Sequence, residues 1–187
     1  RSITNPTPFV RTNVEGTQVL LRRAVEAKVS RFLHVSTDEV YGPILQGEHT
    51  EDAALHPRSP YASSKAAGDL MVQAFGETYQ LPAVIVRPTN AYGPRQFPEK
   101  FIPLSITNAL EDQPLGIYGD GLHRRRWLHV EDLCRGIAAA LEGGQDGLVY
   151  NIGSPAECAN LDVARAVLHK LNKPEALIRF VADRPGH

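Results

Sequence analysis

A hydroxyl, two carboxylates, a phenol and an ammonium stand close enough in this sequence to pass protons among themselves. The first three are Thr37-Asp38-Glu39; the other two are Tyr61 and Lys65, in Ser59-Pro60-Tyr61-Ala62-Ser63-Ser64-Lys65. A spacing of i, i+4 sets Tyr61 and Lys65 on one face of a helix. An ammonium beside a phenol favours phenolate, so the pair is expected to bring the tyrosine pKa down toward neutrality. With two acids added, the set reads as an acid–base site with several proton carriers.

The elements that must position these groups can be read from the surrounding pattern. Arg31-Phe32-Leu33-His34-Val35-Ser36 is an apolar run that reads as a buried strand leading into Thr37. Neighbouring strand residues face opposite ways, so Asp38 and Glu39 reach one site only if the strand ends near Thr37 and a turn follows. Pro60 suits the first turn of a helix, which the pattern extends to Tyr79. Helical periodicity also covers Pro8 to Lys28, Phe101 to Leu110, Val130 to Leu141 and Leu161 to Leu171. Strands are expected at Ala83–Arg87, Gly116–Tyr118, Arg126–His129, Val149–Ile152 and Ile178–Val181. This alternation predicts an α/β fold with a parallel sheet covered by helices on both faces. A dinucleotide-binding half-sheet begins with a strand, a glycine-rich turn and a helix. Gly116-Ile117-Tyr118-Gly119-Asp120-Gly121 has neither that spacing nor a helix behind it, and Gly143-Gly144 reads as a helix C-cap.

The 187 residues are 42% hydrophobic and 22% charged with a net charge of −1, ordinary for a globular chain and unlike a nucleic-acid binder. No apolar run is long enough for a transmembrane helix, no signal peptide is visible, and a cytoplasmic location is expected. Cys134 and Cys158 have no metal-ligand spacing, and neither do the histidines; no metal site is expected. Both cysteines read as reduced and structural, with Cys134 among Leu133 and Ile137 as core. The chain opens at Arg1 without methionine and closes on Asp183-Arg184-Pro185-Gly186-His187, so both ends read as cut.

These motifs together resemble the extended short-chain dehydrogenase/reductase family, and within it the nucleotide-sugar 4,6-dehydratases. The resemblance rests on Arg1-Ser2-Ile3, Asn13-Val14-Glu15-Gly16-Thr17, Val35 to Gly42 and Tyr61-x-x-x-Lys65. It continues through Asn90-Ala91-Tyr92-Gly93-Pro94, Phe97 to Pro103, Arg125-x-Trp127-Leu128-x-Val130-Glu131-Asp132, Tyr150 to Gly153 and Asp183 to His187. It implies a partial Rossmann-like doubly wound sheet over residues 1–95, with a smaller C-terminal substrate-binding region over residues 96–187 interleaved with the last Rossmann elements. It also implies that the glycine turn and a short C-terminal piece belong to a longer protein, homodimeric when whole, and that these residues alone bind NAD weakly.

The same resemblance implies NAD as cofactor, met by Asn13, Ser36, Tyr61 and Lys65, and dTDP-glucose or a similar nucleotide sugar as substrate. Tyr61 would take the 4-hydroxyl proton with Thr37 orienting that hydroxyl, Glu39 the C5 proton, and Asp38 would protonate the departing C6 hydroxyl. Thr37, Asn90, Lys100, Phe101, Ile117, Tyr118, Arg125, Asn151, Arg184 and His187 would hold the substrate. Two positions depart from the family pattern: Ala91 stands for a second asparagine near the cofactor, and Arg126 for an aspartate near the diphosphate. Asn13 reads equally as a residue that packs or bends its helix, and Tyr118 as stacking or core packing. Arg124 and Arg126 read as solvated neighbours turned away from Arg125. An epimerase or UDP-glucuronate decarboxylase of the same superfamily would keep Tyr61 and Lys65 without the Asp-Glu pair; a non-catalytic nucleotide-binding regulator would commonly lose Tyr61 and Lys65.

Overall fold

A computed structural model describes residues 2–44, 47–155 and 157–183, and the chain divides into two units. Unit 1 comprises Arg1–Thr89 and Asp132–Ile152; unit 2 comprises Asn90–Glu131 and Gly153–His187. The expected residues Arg184 and His187 lie outside the described residues.

Unit 1 is built on a parallel sheet of three strands, β1 (Phe32–Val35), β2 (Ala83–Pro88) and β6 (Val149–Ile152), with β2 in the middle. Every residue of β2 is buried, as a central parallel strand requires. Ala83 and Ile85 join Leu21 and Ala24 of α2 (Gly16–Ala27) and Val72 and Phe75 of α3 (Pro60–Tyr79) in one core cluster. Val84 and Val86, on the other face, are fully buried too, so both faces are covered. The first helix is not uniform: α1 (Thr7–Val10) passes into a π-helical stretch, Arg11–Glu15, before α2 begins. The helix α5 (Val130–Gly143) packs against β6 at its middle, where Gly136 leaves no room for a Cβ beside Ile152.

Unit 2 holds two further sheets. β3 (Asn90–Tyr92) pairs in parallel with β5 (Arg124–His129), and β5 pairs antiparallel with β7 (Glu157–Ala159). β4 (Leu115–Tyr118) pairs in parallel with β8 (Ile178–Val181). Leu115 and Ile117 of β4 pack with Ala109 of α4 (Phe101–Leu110) and with Ala164 and Leu168 of α6 (Asn160–Lys170).

The α/β, largely parallel reading therefore holds, with one antiparallel pair and two three-residue strands, β3 and β7, that the sequence pattern does not show. One core expectation is corrected. Cys134 is exposed, because it stands about 100° around α5 from Leu133, which faces inward. Cys158 is exposed as well, and both are free thiols.

Candidate active site

The proton-transfer groups all lie in unit 1. Helix α3 starts where the sequence requires: the Ser59 side chain accepts from the Ala62 amide at 3.1 Å, and Pro60 occupies the first turn. Tyr61 and Lys65 are thereby set one turn apart at the start of a long helix. β1 ends at Val35, and Asp38–Tyr41 forms a 3₁₀ turn, the break that lets two adjacent acids leave the strand's alternation. Thr37 caps this turn, accepting from the Glu39 amide at 3.3 Å and donating to Asp38 Oδ1 at 3.3 Å. The turn closes on Gly42, whose φ of 81° belongs to the left-handed region and whose missing Cβ would lie 2.4 Å from the His56 carbonyl oxygen. Asp38 is half-buried and Glu39 exposed.

The electrostatics correct one sequence expectation. The Tyr61 phenol is pushed above its ordinary pKa, not below it, chiefly by burial, then by the Glu39 carboxylate, with Asp38 adding to the effect; a hydrogen bond shared with Thr37 pulls the other way. Burial and the two carboxylates decide the direction, while the Lys65 ammonium donates to the Val35 carbonyl at 2.6 Å. Its own pKa is lowered by burial against the opposing pull of Asp69. Lys65 keeps two N–H donors beyond the Val35 bond. A half-buried phenol flanked by two carboxylates, beside an ammonium with donors to spare, fits the reactive end of a cationic, hydroxyl-bearing cofactor such as NAD.

Asn13 lies in the π-helical stretch, a distortion frequent at functional sites. Its amide donates to Ser64 Oγ at 3.0 Å, and Ser64 donates to the Tyr61 carbonyl at 2.7 Å, so Asn13 is tied to the turn of α3 that carries the tyrosine. Ser36 is buried, and its hydroxyl helps the adjacent Asp69 to hold its charge. Asn151 has both ends of its amide committed: Oδ1 accepts from Tyr41 Oη at 2.8 Å, and Nδ2 donates to the His49 carbonyl at 3.1 Å.

Of the residues expected at the nucleotide, Asn90, Lys100, Phe101, Ile117, Tyr118 and Arg125 lie in unit 2. Lys100 stands at the N-terminus of α4, and the Phe101 ring stacks on Trp127 with centroids 6.0 Å apart. Alternation along β4 turns Tyr118 outward, 40% exposed, and Ile117 into the core at 1%. The Ile117 side chain is thus core and only its main chain is left to meet a ligand. On β5, Arg124 is held by Glu157 at 3.2 Å, and Arg125 points to the opposite face. Among the described residues no cluster of metal-ligand type is present.

Sequence reasoning passed over a buried polar group beneath the turn. Asp69, 0% exposed, pairs with Arg87 Nε at 2.9 Å, and Arg87 Nη1 donates to Tyr41 Oη at 2.7 Å. His34 Nε2 lies 3.5 Å from Asp69, and burial drops the imidazole pKa to about 4, so this ring is neutral. The signal was available: Asp69 continues the Tyr61, Lys65 spacing by another four residues, and Arg87 is a charge inside an otherwise apolar strand.

Comparison with known proteins gives a consistent picture. Residues 1–153 match the NAD dependent epimerase/dehydratase family. A dTDP-glucose 4,6-dehydratase from Streptomyces niveus is 49% identical over 187 residues, which are 100% of this chain and 56% of that protein. The crystal structure of DesIV, a dTDP-glucose 4,6-dehydratase from Streptomyces venezuelae with NAD and TYD bound, superimposes with a TM-score of 0.98 at 50% identity, covering 100% of this chain and 58% of its own. UDP-glucuronic acid 4-epimerase from Bacillus cereus, in complex with UDP-glucuronic acid and NAD, matches with a TM-score of 0.90 at 34% identity over 95% of this chain and 57% of its own. The chain spans a little over half the length of these relatives.

Proposed function

This chain belongs to the NAD dependent epimerase/dehydratase family, and from that premise we propose that the protein carrying it is a lyase that converts dTDP-glucose to dTDP-4-keto-6-deoxyglucose and water. The observation that carries the reading is the Asp38–Glu39 pair on a turn capped by Thr37, with Glu39 near enough to Tyr61 to raise its pKa. An epimerase needs one group to move the C4 hydroxyl proton; loss of water across C5 and C6 needs a base and an acid besides.

The proposed roles are these. Tyr61 takes the C4 hydroxyl proton as phenolate, a form that burial and the neighbouring carboxylates oppose and that the cationic ring of a bound NAD would favour, while Thr37 orients that hydroxyl. NAD, when bound against Tyr61 and Lys65, supplies what these side chains lack, an acceptor for the C4 hydride that gives it back at C6. The resulting 4-ketone acidifies the C5 hydrogen. Glu39, exposed and acceptor-only when ionised, removes that proton. Asp38, half-buried and hydrogen-bonded by Thr37, protonates the C6 oxygen as the C6–O bond breaks. Glu39 then returns its proton to C5. The proton Tyr61 took from the C4 oxygen balances the one Asp38 gave to water. Lys100, Arg125 and Tyr118, with Asn90 and Phe101, are assigned to the nucleotide diphosphate, where cations and donors are needed.

No described helix is long and apolar enough to cross a membrane. Val19 and Leu20 on α2 and Leu70 on α3, all exposed, support a homodimer of the whole protein. The test is incubation of the full-length protein with dTDP-glucose and proton NMR of the product. A new C6 methyl doublet and loss of the H4 signal are expected. A C4 epimer with C6 still hydroxylated would replace this reading by the epimerase one.

A further inference from the structure

Beneath the catalytic turn runs a chain of buried contacts that the proton transfers do not use. It starts on α3 at Asp69, one turn beyond Lys65 and two beyond Tyr61. Asp69 Oδ2 accepts from Arg87 Nε at 2.9 Å, both side chains being at least 98% buried. Arg87, on β2, donates from Nη1 to Tyr41 Oη at 2.7 Å and to the Glu51 carbonyl at 3.2 Å. Its guanidinium carbon lies 4.8 Å from the centroid of the Tyr41 ring. Tyr41 Oη in turn donates to Asn151 Oδ1 at 2.8 Å, on β6. Asn151 is held on its other sides as well, since its main-chain N–H donates to Glu51 Oε1 at 2.9 Å and Nδ2 donates to the His49 carbonyl. Tyr41 is the last residue of the 3₁₀ turn that begins at Asp38. Its hydroxyl is therefore a point where helix, central strand and edge strand meet under the two acids.

We propose that Asp69, Arg87, Tyr41 and Asn151 form a strut that fixes the Asp38–Glu39 turn against the helix of Tyr61 and Lys65, so that Tyr41 is a positioning residue for the water-eliminating half of the reaction. This rests on the dehydratase reading. The turn is capped at its start by Thr37 and held in its middle by Val40, which is buried in a cluster with Ala66 of α3 and accepts from the His56 amide at 2.9 Å; the Tyr41 hydroxyl is the polar anchor at its end. Thr37 itself is held independently, since it follows Ser36, whose amide donates to the Val86 carbonyl at 2.8 Å. Releasing Tyr41 thus loosens Asp38 and Glu39 while leaving Thr37, Tyr61 and Lys65 where they are. A catalytic group displaced by an ångström loses rate even though its chemistry is intact.

The decisive variant is Tyr41→Phe in the full-length protein, which removes one oxygen and leaves Arg87 Nη1 and Asn151 Oδ1 each without that partner. Two readouts are taken. Amide hydrogen exchange in the peptide spanning residues 37–42 should speed up roughly tenfold or more, one tenfold step being about what a single buried hydrogen bond is worth and two being lost here, with the interior of α3 unchanged. Single-turnover kinetics with dTDP-glucose should show NADH absorbance rising at a rate within about twofold of the parent while water loss slows roughly tenfold or more, with KM unchanged. Unchanged exchange over the turn overturns the proposal, as does equal slowing of both phases or slowing of neither. If the parent does not oxidise dTDP-glucose, the dehydratase reading falls, and the exchange measurement alone decides the strut. Should Tyr41→Phe fail to fold, Arg87→Lys, which keeps a cation beside Asp69 but removes the Nη1 donor to Tyr41 Oη, is measured in the same way with the same expected and overturning results.

Discussion

Replacing Arg87 by methionine tests how the buried carboxylate of Asp69 is tolerated. Asp69 is fully buried, and Arg87 is its close cationic partner at 2.9 Å; Lys65 and the Ser36 hydroxyl help, and the His34 ring beside it is neutral. Removing one partner of a buried ion pair costs about 3–5 kcal/mol, because the other charge is left uncompensated. Relatives of which 187 residues make up 56% have roughly 330 residues, and at about 2.1 cal/mol/K of unfolding entropy per residue the loss lowers the melting temperature by about 4–7 °C. The pH dependence has a definite sign. Burial already raises the Asp69 pKa above its unfolded value, and Arg87 is among the groups that lower it, so the variant raises it further. A carboxyl whose folded pKa exceeds its unfolded one is stabilising below the unfolded pKa and loses that contribution as pH rises through the folded value. The gap between parent and Arg87→Met in differential scanning fluorimetry is therefore widest at pH 8 and narrows as the buffer is taken toward pH 5. The double variant Asp69→Leu/Arg87→Met, with neither charge present, should recover much of the loss. A single variant melting within about a degree of the parent at pH 8, or a gap that grows on acidification, refutes the reasoning.

Other outcomes follow from the same site. Tyr61→Phe should slow the first oxidation roughly a hundred- to ten-thousand-fold; stopped-flow NADH absorbance at the parental rate would remove Tyr61 as the base. Glu39→Gln should abolish exchange of the C5 hydrogen with deuterated solvent, and Asp38→Asn should slow water loss more than oxidation; mass spectrometry of the product reads both. Because the Glu39 carboxylate raises the Tyr61 pKa, Glu39→Gln should also move the alkaline rise of the oxidation rate to lower pH, and a shift to higher pH counts against that coupling. Gly42→Ala, which forces a side chain into the left-handed region and against the His56 carbonyl, should reduce soluble yield or melting temperature by more than a surface substitution does, measured by thermal shift.

Much of the site was legible because its positioning is local. Ser59 and Pro60 announce the start of α3, and the helical period then places Tyr61, Lys65 and Asp69 on one face. That Asp38 and Glu39 must leave the strand follows from alternation alone, and the 3₁₀ turn is how the chain does it. What stayed hidden depends on distant partners. β3 and β7 are three residues long, and nothing in Asn90-Ala91-Tyr92 or Glu157-Cys158-Ala159 demands a strand until β5 pairs with them. The Tyr61 pKa was misjudged because the spacing shows the ammonium of Lys65 but neither the burial of the phenol nor the approach of the Glu39 and Asp38 carboxylates. Ile117 was placed at the substrate by likeness, although the alternation Leu115, Gly116, Ile117, Tyr118 already turns it inward.

The π-helical stretch at Arg11–Glu15 lets the first helix carry one residue more than its two contact faces require. Upstream of it, Phe9 meets the Tyr61 ring edge-on with centroids 6.1 Å apart; downstream, Thr17, Leu21 and Ala24 are buried. A π turn amounts to one residue more than an α-helical path would need. Excising a single residue between Arg11 and Glu15 would restore a uniform α-helix and leave Phe9 and Leu21 on the faces they now hold, because the wide turn already absorbs the roughly 100° that one added residue contributes. What the deletion would remove is the wide turn itself, which carries Asn13 and its bond to Ser64. The extra residue therefore serves the catalytic end of α3 rather than the core, and its loss would cost the site more than the fold.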